Sequence, residues 1–129
     1  MERETNMELF RPVSEHEFKE IEKCEFSSFP QIEKARPLFT ALLSENGAVD
    51  IARHMRLTPT QGNMVYVLRF LAEDAFARQF PVQNMDDPDR RALWLSEEDL
   101  SLLNQHLLGK ISVIEAFASD PSMMDTFFV

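Results

Sequence analysis

The segment 92–117 constrains the fold more than any other part of the chain, because its predicted elements follow one another without ambiguity. Residues 92–95 have strand character, and Ser96 is a strong helix N-cap with Asp99 placed to complete a capping box. The next residues repeat apolar side chains at helical spacing, namely Leu100, Leu103 and Leu107. This pattern predicts a strand followed directly by a short amphipathic helix.

Gly109 fits the left-handed position that commonly ends a helix, and 110–117 then read as the last strand. The nearly continuous apolar run 64–70 predicts a central strand covered on both faces. Shorter extended pieces are expected at 7–11, where Pro12 would stop the strand, and at 38–42.

Two more helices are predicted from their capping residues. Ser14 begins the first, and Glu17 is placed three residues on to complete a capping box. Ser44 begins the second, over 45–56, where Gly47 weakens the first turn. One or two further helical turns are expected over 73–79.

Strands and helices that alternate without regular βαβ spacing predict an α+β fold with a small, mostly antiparallel sheet and three short helices. A chain of 129 residues has the length of one domain. We expect an N-terminal arm at 1–7, a single domain at 8–118 and an apolar C-terminal tail at 119–129.

The chain is acidic, with 13 Lys and Arg against 22 Asp and Glu and a net charge of −9. Such a charge repels phosphate backbones, so we expect no nucleic-acid partner. A solubilising surface is the favoured interpretation, and an acidic face for a basic partner is the alternative.

Cys24 is the single cysteine, which excludes an intrachain disulfide and suits a reducing cytoplasm. We expect it to be a buried structural thiol. The three histidines, His16, His54 and His106, lack metal-ligand spacing, so no metal is expected. No apolar run approaches the length of a membrane span, and we expect a cytoplasmic protein without a membrane partner.

Arg11 and Arg69 each stand at the end of a predicted strand. A guanidinium in that position can fork onto a phosphate or a carboxylate of a ligand. The alternative is an ion pair with one of the abundant acidic residues.

An ordered set of short motifs runs over about residues 8–117. The motifs are Leu9-Phe10-Arg11-Pro12-Val13, Phe29-Pro30, Pro37-Leu38-Phe39, Ile51-Ala52-Arg53, Tyr66-Val67 with Arg69-Phe70, Phe80 with Val82-Gln83, Leu93-Trp94-Leu95, Glu98 with Leu100, Asn104, and Leu108-Gly109-Lys110-Ile111. The set resembles short bacterial proteins labelled ADP-ribosylation/crystallin J1. The order of the elements resembles the ADP-ribosyltransferase fold, a split β-sandwich that grips NAD.

The resemblance implies that Arg11 contacts the dinucleotide. Arg11 and Arg69, both chosen for their places in the predicted strands, are the expected ligand-binding residues. It also implies that Phe39-Thr40 or Tyr66 lies near the nicotinamide. The catalytic glutamate of such enzymes would precede Leu93-Trp94, and Ala92 stands there instead. Losing that carboxylate costs several kcal/mol of transition-state stabilisation, so we expect NAD or ADP-ribose binding with catalysis weak or lost.

A function of another class is the alternative. The chain would then be a non-catalytic protein-binding module, such as an inhibitor, an immunity factor or a complex subunit. Its acidic surface and the apolar tail 119–129 would contact the protein partner.

Overall fold

A computed structural model describes residues 6–31 and 38–118. Within these ranges five strands form one antiparallel sheet in the order β4-β2-β1-β3-β5. The strands are β1 (Asn6–Ser14), β2 (Phe39–Leu42), β3 (Met64–Glu73), β4 (Ala92–Leu95) and β5 (Leu107–Ala118). The helices are α1 (Glu15–Lys23), α2 (Glu45–His54), α3 (Asp74–Ala77) and α4 (Glu97–Gln105), with a 3-10 turn at Pro59–Gln61.

The antiparallel α+β prediction is confirmed, whereas the described strands form a single sheet and not the two facing sheets of a split β-sandwich. The reason lies in the central strands, which bury apolar side chains on both faces. On β1, Leu9 belongs to one buried cluster and its neighbour Phe10 to the other. Each face therefore needs a helical cover.

The two faces are covered by different helices. Ile21 of α1 and Leu103 of α4 pack with Leu9 in the first cluster, which α3 extends. On the opposite face Ala48 and Ala52 of α2 pack against Phe10. The small alanine side chains let the α2 backbone lie close to the sheet, and β1 is the strand that both layers share.

Two stop signals predicted from single residues are wrong. The first strand continues through Pro12, which lies opposite Val67 of β3. Among the described residues β1 pairs with β2 at Phe10 and Leu42, so Pro12 lies outside that pairing and its missing N–H removes no hydrogen bond from it. Gly109 does not end α4: it lies inside β5 with φ of +75°.

Gly109 lies at a β-bulge between β3 and β5. Arg69 pairs with Ser112, whereas Leu71 pairs with Leu108, so the register between β3 and β5 shifts around it. A bulge of this kind often takes a residue with positive φ, which glycine adopts without strain. The helix α4 ends earlier, where the His106 N–H donates to the carbonyl of Leu103.

The capping predictions divide in an informative way. Ser96 and Asp99 form the predicted capping box, with both reciprocal hydrogen bonds present. Ser14 caps α1 by accepting a bond from the Glu17 N–H at 3.1 Å, but the Glu17 carboxylate does not return to Ser14. Cys24 is exposed, not buried as predicted, because it lies in the turn after the last residue of α1.

Candidate functional site

A cavity of about 310 Å³ lies where the end of β1, the first turn of α1, the start of β2 and the 3-10 turn meet. Its volume is at the lower end of the range for small-molecule sites. Apolar wall comes from Pro12, Pro30, Leu38, Phe39 and Met55, and polar groups come from Arg11, His16, Glu17, Glu20 and Gln61. This mixture of an apolar wall and a few polar groups is typical of a ligand site.

Arg11 is the most strongly positioned polar residue of the cavity. Its Nη1 donates to the carbonyl of Thr40 at 3.1 Å, and its guanidinium carbon lies 4.2 Å from the ring centroid of Phe39. The Phe39 ring is held in turn by an edge contact with Phe29, at 4.9 Å between centroids. The guanidinium is therefore fixed by a cation–π contact and a backbone acceptor at once.

The remaining strong contact of Arg11 is with Glu17. Nε donates to Oε2 at 2.8 Å and Nη2 donates to Oε1 at 3.0 Å. The two side chains are only 16% and 20% exposed, so water screens this ion pair less than a surface pair. The bidentate geometry is the one that arginine also makes with a ligand carboxylate or phosphate.

The other acidic group of the cavity is also compensated. Lys23 donates to the Glu20 carboxylate at 3.0 Å, and this hydrogen bond lowers the pKa of Glu20 below its ordinary value of 4.5. With Arg11 paired to Glu17 and Lys23 paired to Glu20, the charges around the cavity are balanced.

The far wall of the cavity is held by Glu15. Its Oε1 accepts the N–H groups of Asn63 at 2.8 Å and Met64 at 3.3 Å. The Asn63 bond is the main reason that the pKa of Glu15 is lowered. A Cβ on Gly62, whose φ is +101°, would lie 2.6 Å from the same carboxylate oxygen. This close approach fixes the 3-10 turn, and with it Gln61, beside the cavity.

The sequence-predicted site residues divide between the two faces of the sheet. Arg11 lies opposite Leu68, and Arg69 lies opposite Phe10, in the pairing of β1 with β3. Because neighbouring residues of a strand point to opposite faces, the two arginines lie on opposite sides of the sheet. Arg69 contacts Glu8 through an ion pair.

The other predicted residues are placed as follows. Thr40 meets Arg11 through its backbone carbonyl. Tyr66 stacks on Phe18 at 4.0 Å between ring centroids and is not part of the cavity wall. Ala92 is 1% exposed and packs in the cluster beneath α2. The structure thus brings Arg11 and Thr40 together and leaves Arg69, Tyr66 and Ala92 elsewhere.

Glu17 is the site residue that sequence reasoning missed, because its position three residues after Ser14 also suits a capping box. A second signal was present. Ser14 joins β1 to α1, and the chain turns there, so Arg11 and Glu17 stand three residues before and three residues after the turn. A strand–helix corner brings such a pair together, and their opposite charges favour an ion pair.

Across the described residues, no three His, Cys, Asp or Glu side chains are grouped closely enough to hold a metal ion. Over the same part of the chain, no helix combines the length and apolar character that crossing a membrane requires. Ser14, the hydroxyl residue of the cavity wall, uses its oxygen to cap α1.

No protein-family model matches the chain, and searches of curated proteins and of solved structures found no significant match.

Proposed function

We propose that this chain is an ADP-ribosyltransferase-like binding protein that takes NAD or an ADP-ribosyl group at the Arg11 cavity. The observation that carries the proposal is the guanidinium of Arg11, fixed on the cavity wall between Phe39 and the Thr40 carbonyl. A pre-positioned arginine beside an apolar wall suits a ligand that combines a phosphate with flat rings. The likeness concerns the class of ligand and not the two-sheet architecture.

The proposed protein binds its ligand with weak or no catalysis. Ala92 supplies no carboxylate, and it is buried beneath α2 on the other face of the sheet from Arg11. Glu17 and Glu20 are the carboxylates at the cavity, and both are engaged in ion pairs. A group that must stabilise a developing positive charge has to be free to face it.

Thermal unfolding in the presence of NAD or ADP-ribose tests the proposal. A ligand that binds only the folded state at ten times its Kd stabilises it by about 1.4 kcal/mol, which raises the Tm by about 5 °C in a domain of this size. Replacing Arg11 by glutamine is expected to abolish the shift, since the fork and the charge are both lost.

Arg69→Gln is the matched control. This substitution also breaks an Arg–Glu ion pair, here between Arg69 of β3 and Glu8 of β1, on the opposite face of the sheet. The control variant should keep the full ligand-induced shift. If neither NAD nor ADP-ribose raises the Tm of the wild-type chain at millimolar concentration, the proposal is wrong.

A second candidate function is a protein-binding module, and the exposure of Trp94 favours it. Trp94 is the single tryptophan, and it is 43% exposed on β4, at one border of the sheet. Aromatic residues are enriched where proteins contact one another. The acidic surface would select a basic partner, and the tail 119–129, which lies outside the described residues, would add apolar contact.

Retention of a cellular protein on the immobilised chain tests this second candidate. Trp94→Ser is expected to lose the retained protein, because an aromatic side chain that becomes buried against a partner contributes a large share of the binding energy. Leu102→Ser, which changes a comparably exposed apolar residue on α4, should retain it. Equal retention by the two variants would show that Trp94 does not contact the partner.

A further inference from the structure

We infer that Glu17 controls the binding of anions at Arg11, because its carboxylate occupies the place on Arg11 that an anionic ligand group would take. The inference rests on the proposed function for the position of the ligand at Arg11. It adds that an anion reaches Arg11 only by displacing Glu17.

The contact between Glu17 and Arg11 has the form of a bound ligand. Two parallel bonds, of 2.8 Å to Oε2 and 3.0 Å to Oε1, use the edge of the guanidinium formed by Nε and Nη2. A phosphate or carboxylate ligand makes the same two bonds to arginine. Glu17 is thus a carboxylate ligand supplied by the chain itself.

The other contacts of Arg11 do not let an anion bind beside Glu17. Nη1 is bonded to the carbonyl of Thr40, and the Phe39 ring lies 4.2 Å from the guanidinium carbon. An anion added beside Glu17 would place two negative groups on a single guanidinium in a partly buried site. Like charges at that distance repel strongly, so the anion replaces the carboxylate.

Glu17 can leave Arg11 without unfolding the helix. Its backbone N–H is bonded to Ser14 Oγ at 3.1 Å, whereas its carboxylate is bonded to Arg11. Side-chain rotation therefore breaks the ion pair and keeps the N-cap of α1. A site that is open for only a fraction of the time binds with an affinity reduced by that fraction.

Inorganic pyrophosphate is the probe, because it tests the competition between Glu17 and an anion without the rest of the proposed ligand. Calorimetric titration at constant ionic strength should give binding at least ~10-fold tighter for Glu17→Gln than for the wild-type chain. The glutamine keeps the size of the side chain and one acceptor for Arg11, but it does not carry the competing charge.

Glu20→Gln is the matched control, since it also removes one negative charge from the cavity wall while leaving Arg11 paired. Its affinity for pyrophosphate should stay within about twofold of wild type. Glu17→Asp, which keeps the charge and shortens the side chain, should give an intermediate gain and provides the test should the glutamine variant fail to fold.

The outcomes are distinct from those for the proposed function. Pyrophosphate binding by Glu17→Gln that is no tighter than by Glu20→Gln overturns the inference, as does its failure to bind either variant. If NAD and ADP-ribose leave the wild-type chain unchanged while Glu17→Gln gains pyrophosphate binding, the proposed ligand is wrong and the role of Glu17 stands.

Discussion

Replacing Gly47 by alanine is expected to destabilise the protein by about 3 kcal/mol, although alanine is the better helix former. Helix propensity alone favours alanine over glycine by ~1 kcal/mol. However, a Cβ at Gly47 would lie 1.8 Å from the carbonyl oxygen of Asp89, which is backbone and cannot rotate away. The chain carrying Asp89 must shift, and the Arg90–Asp50 ion pair at 2.5 Å shifts with it.

Urea unfolding of Gly47→Ala measures this effect as a fall in the midpoint with little change in slope. Asn46→Ala is the control, because Asn46 is exposed in the same first turn of α2 and gains the same helix former. The control should be neutral or slightly stabilising. A more stable Gly47→Ala protein would show that α2 does not lie against Asp89.

Phe39→Ala is expected to cost about 3–5 kcal/mol, the usual range for deleting a buried aromatic ring. Phe39 is 2% exposed, and its ring contacts those of Phe29 and Phe70 at 4.9 and 6.5 Å between centroids. The substitution leaves a space beside Phe29, Phe70 and Arg11. It also removes the surface on which Arg11 rests, so ligand binding should be lost along with stability.

Leu102→Ala serves as the control for Phe39→Ala. Leu102 is 46% exposed on α4, and its loss should change the free energy of unfolding by no more than about 0.5 kcal/mol. Similar unfolding midpoints for the two variants would mean that Phe39 is not part of the core. Phe39→Leu, which keeps more of the volume, should lie between them.

The parts of the fold that were predictable are those set by neighbouring residues. Ser96 and Asp99 lie three positions apart, and local geometry alone makes their capping box. The strand 64–70 was recognisable because a strand covered on both faces needs a continuous apolar run. Its extension to Glu73 could not be foreseen, since those last residues are strand because β1 and β5 pair with them.

The wrong predictions share one physical cause. Each concerns a residue type that suits several local structures, and contacts with residues distant in sequence determine which structure forms. Pro12 stops many strands, but here it lies outside the pairing of β1 with β2, which is at Phe10 and Leu42. Gly109 suits a helix end and a bulge equally, and the register of β5 against β3 selects the bulge. Cys24 is apolar enough for a core, yet the turn after α1 exposes it.

The candidate site was predictable only in part for the same reason. Arg11 could be singled out because it is a polar residue at the end of the apolar strand predicted over 7–11. Its separation from Arg69 depends on the pairing of β1 with β3, which no short motif encodes. The role of Glu17 depends on whether its carboxylate bonds to the Ser14 N–H or to Arg11, and the structure has it bonded to Arg11.

The strand order has a consequence for how the chain acquires its shape. The central strand β1 begins at Asn6, and its long partner is β3, with Asn6 opposite Glu73. During synthesis the ladder between β1 and β3 therefore cannot be completed until Glu73 has been made, and before that β1 has its pairing with β2 at Phe10 and Leu42. Pairing residues so far apart in sequence slows folding, so the β1–β3 ladder is expected to form late.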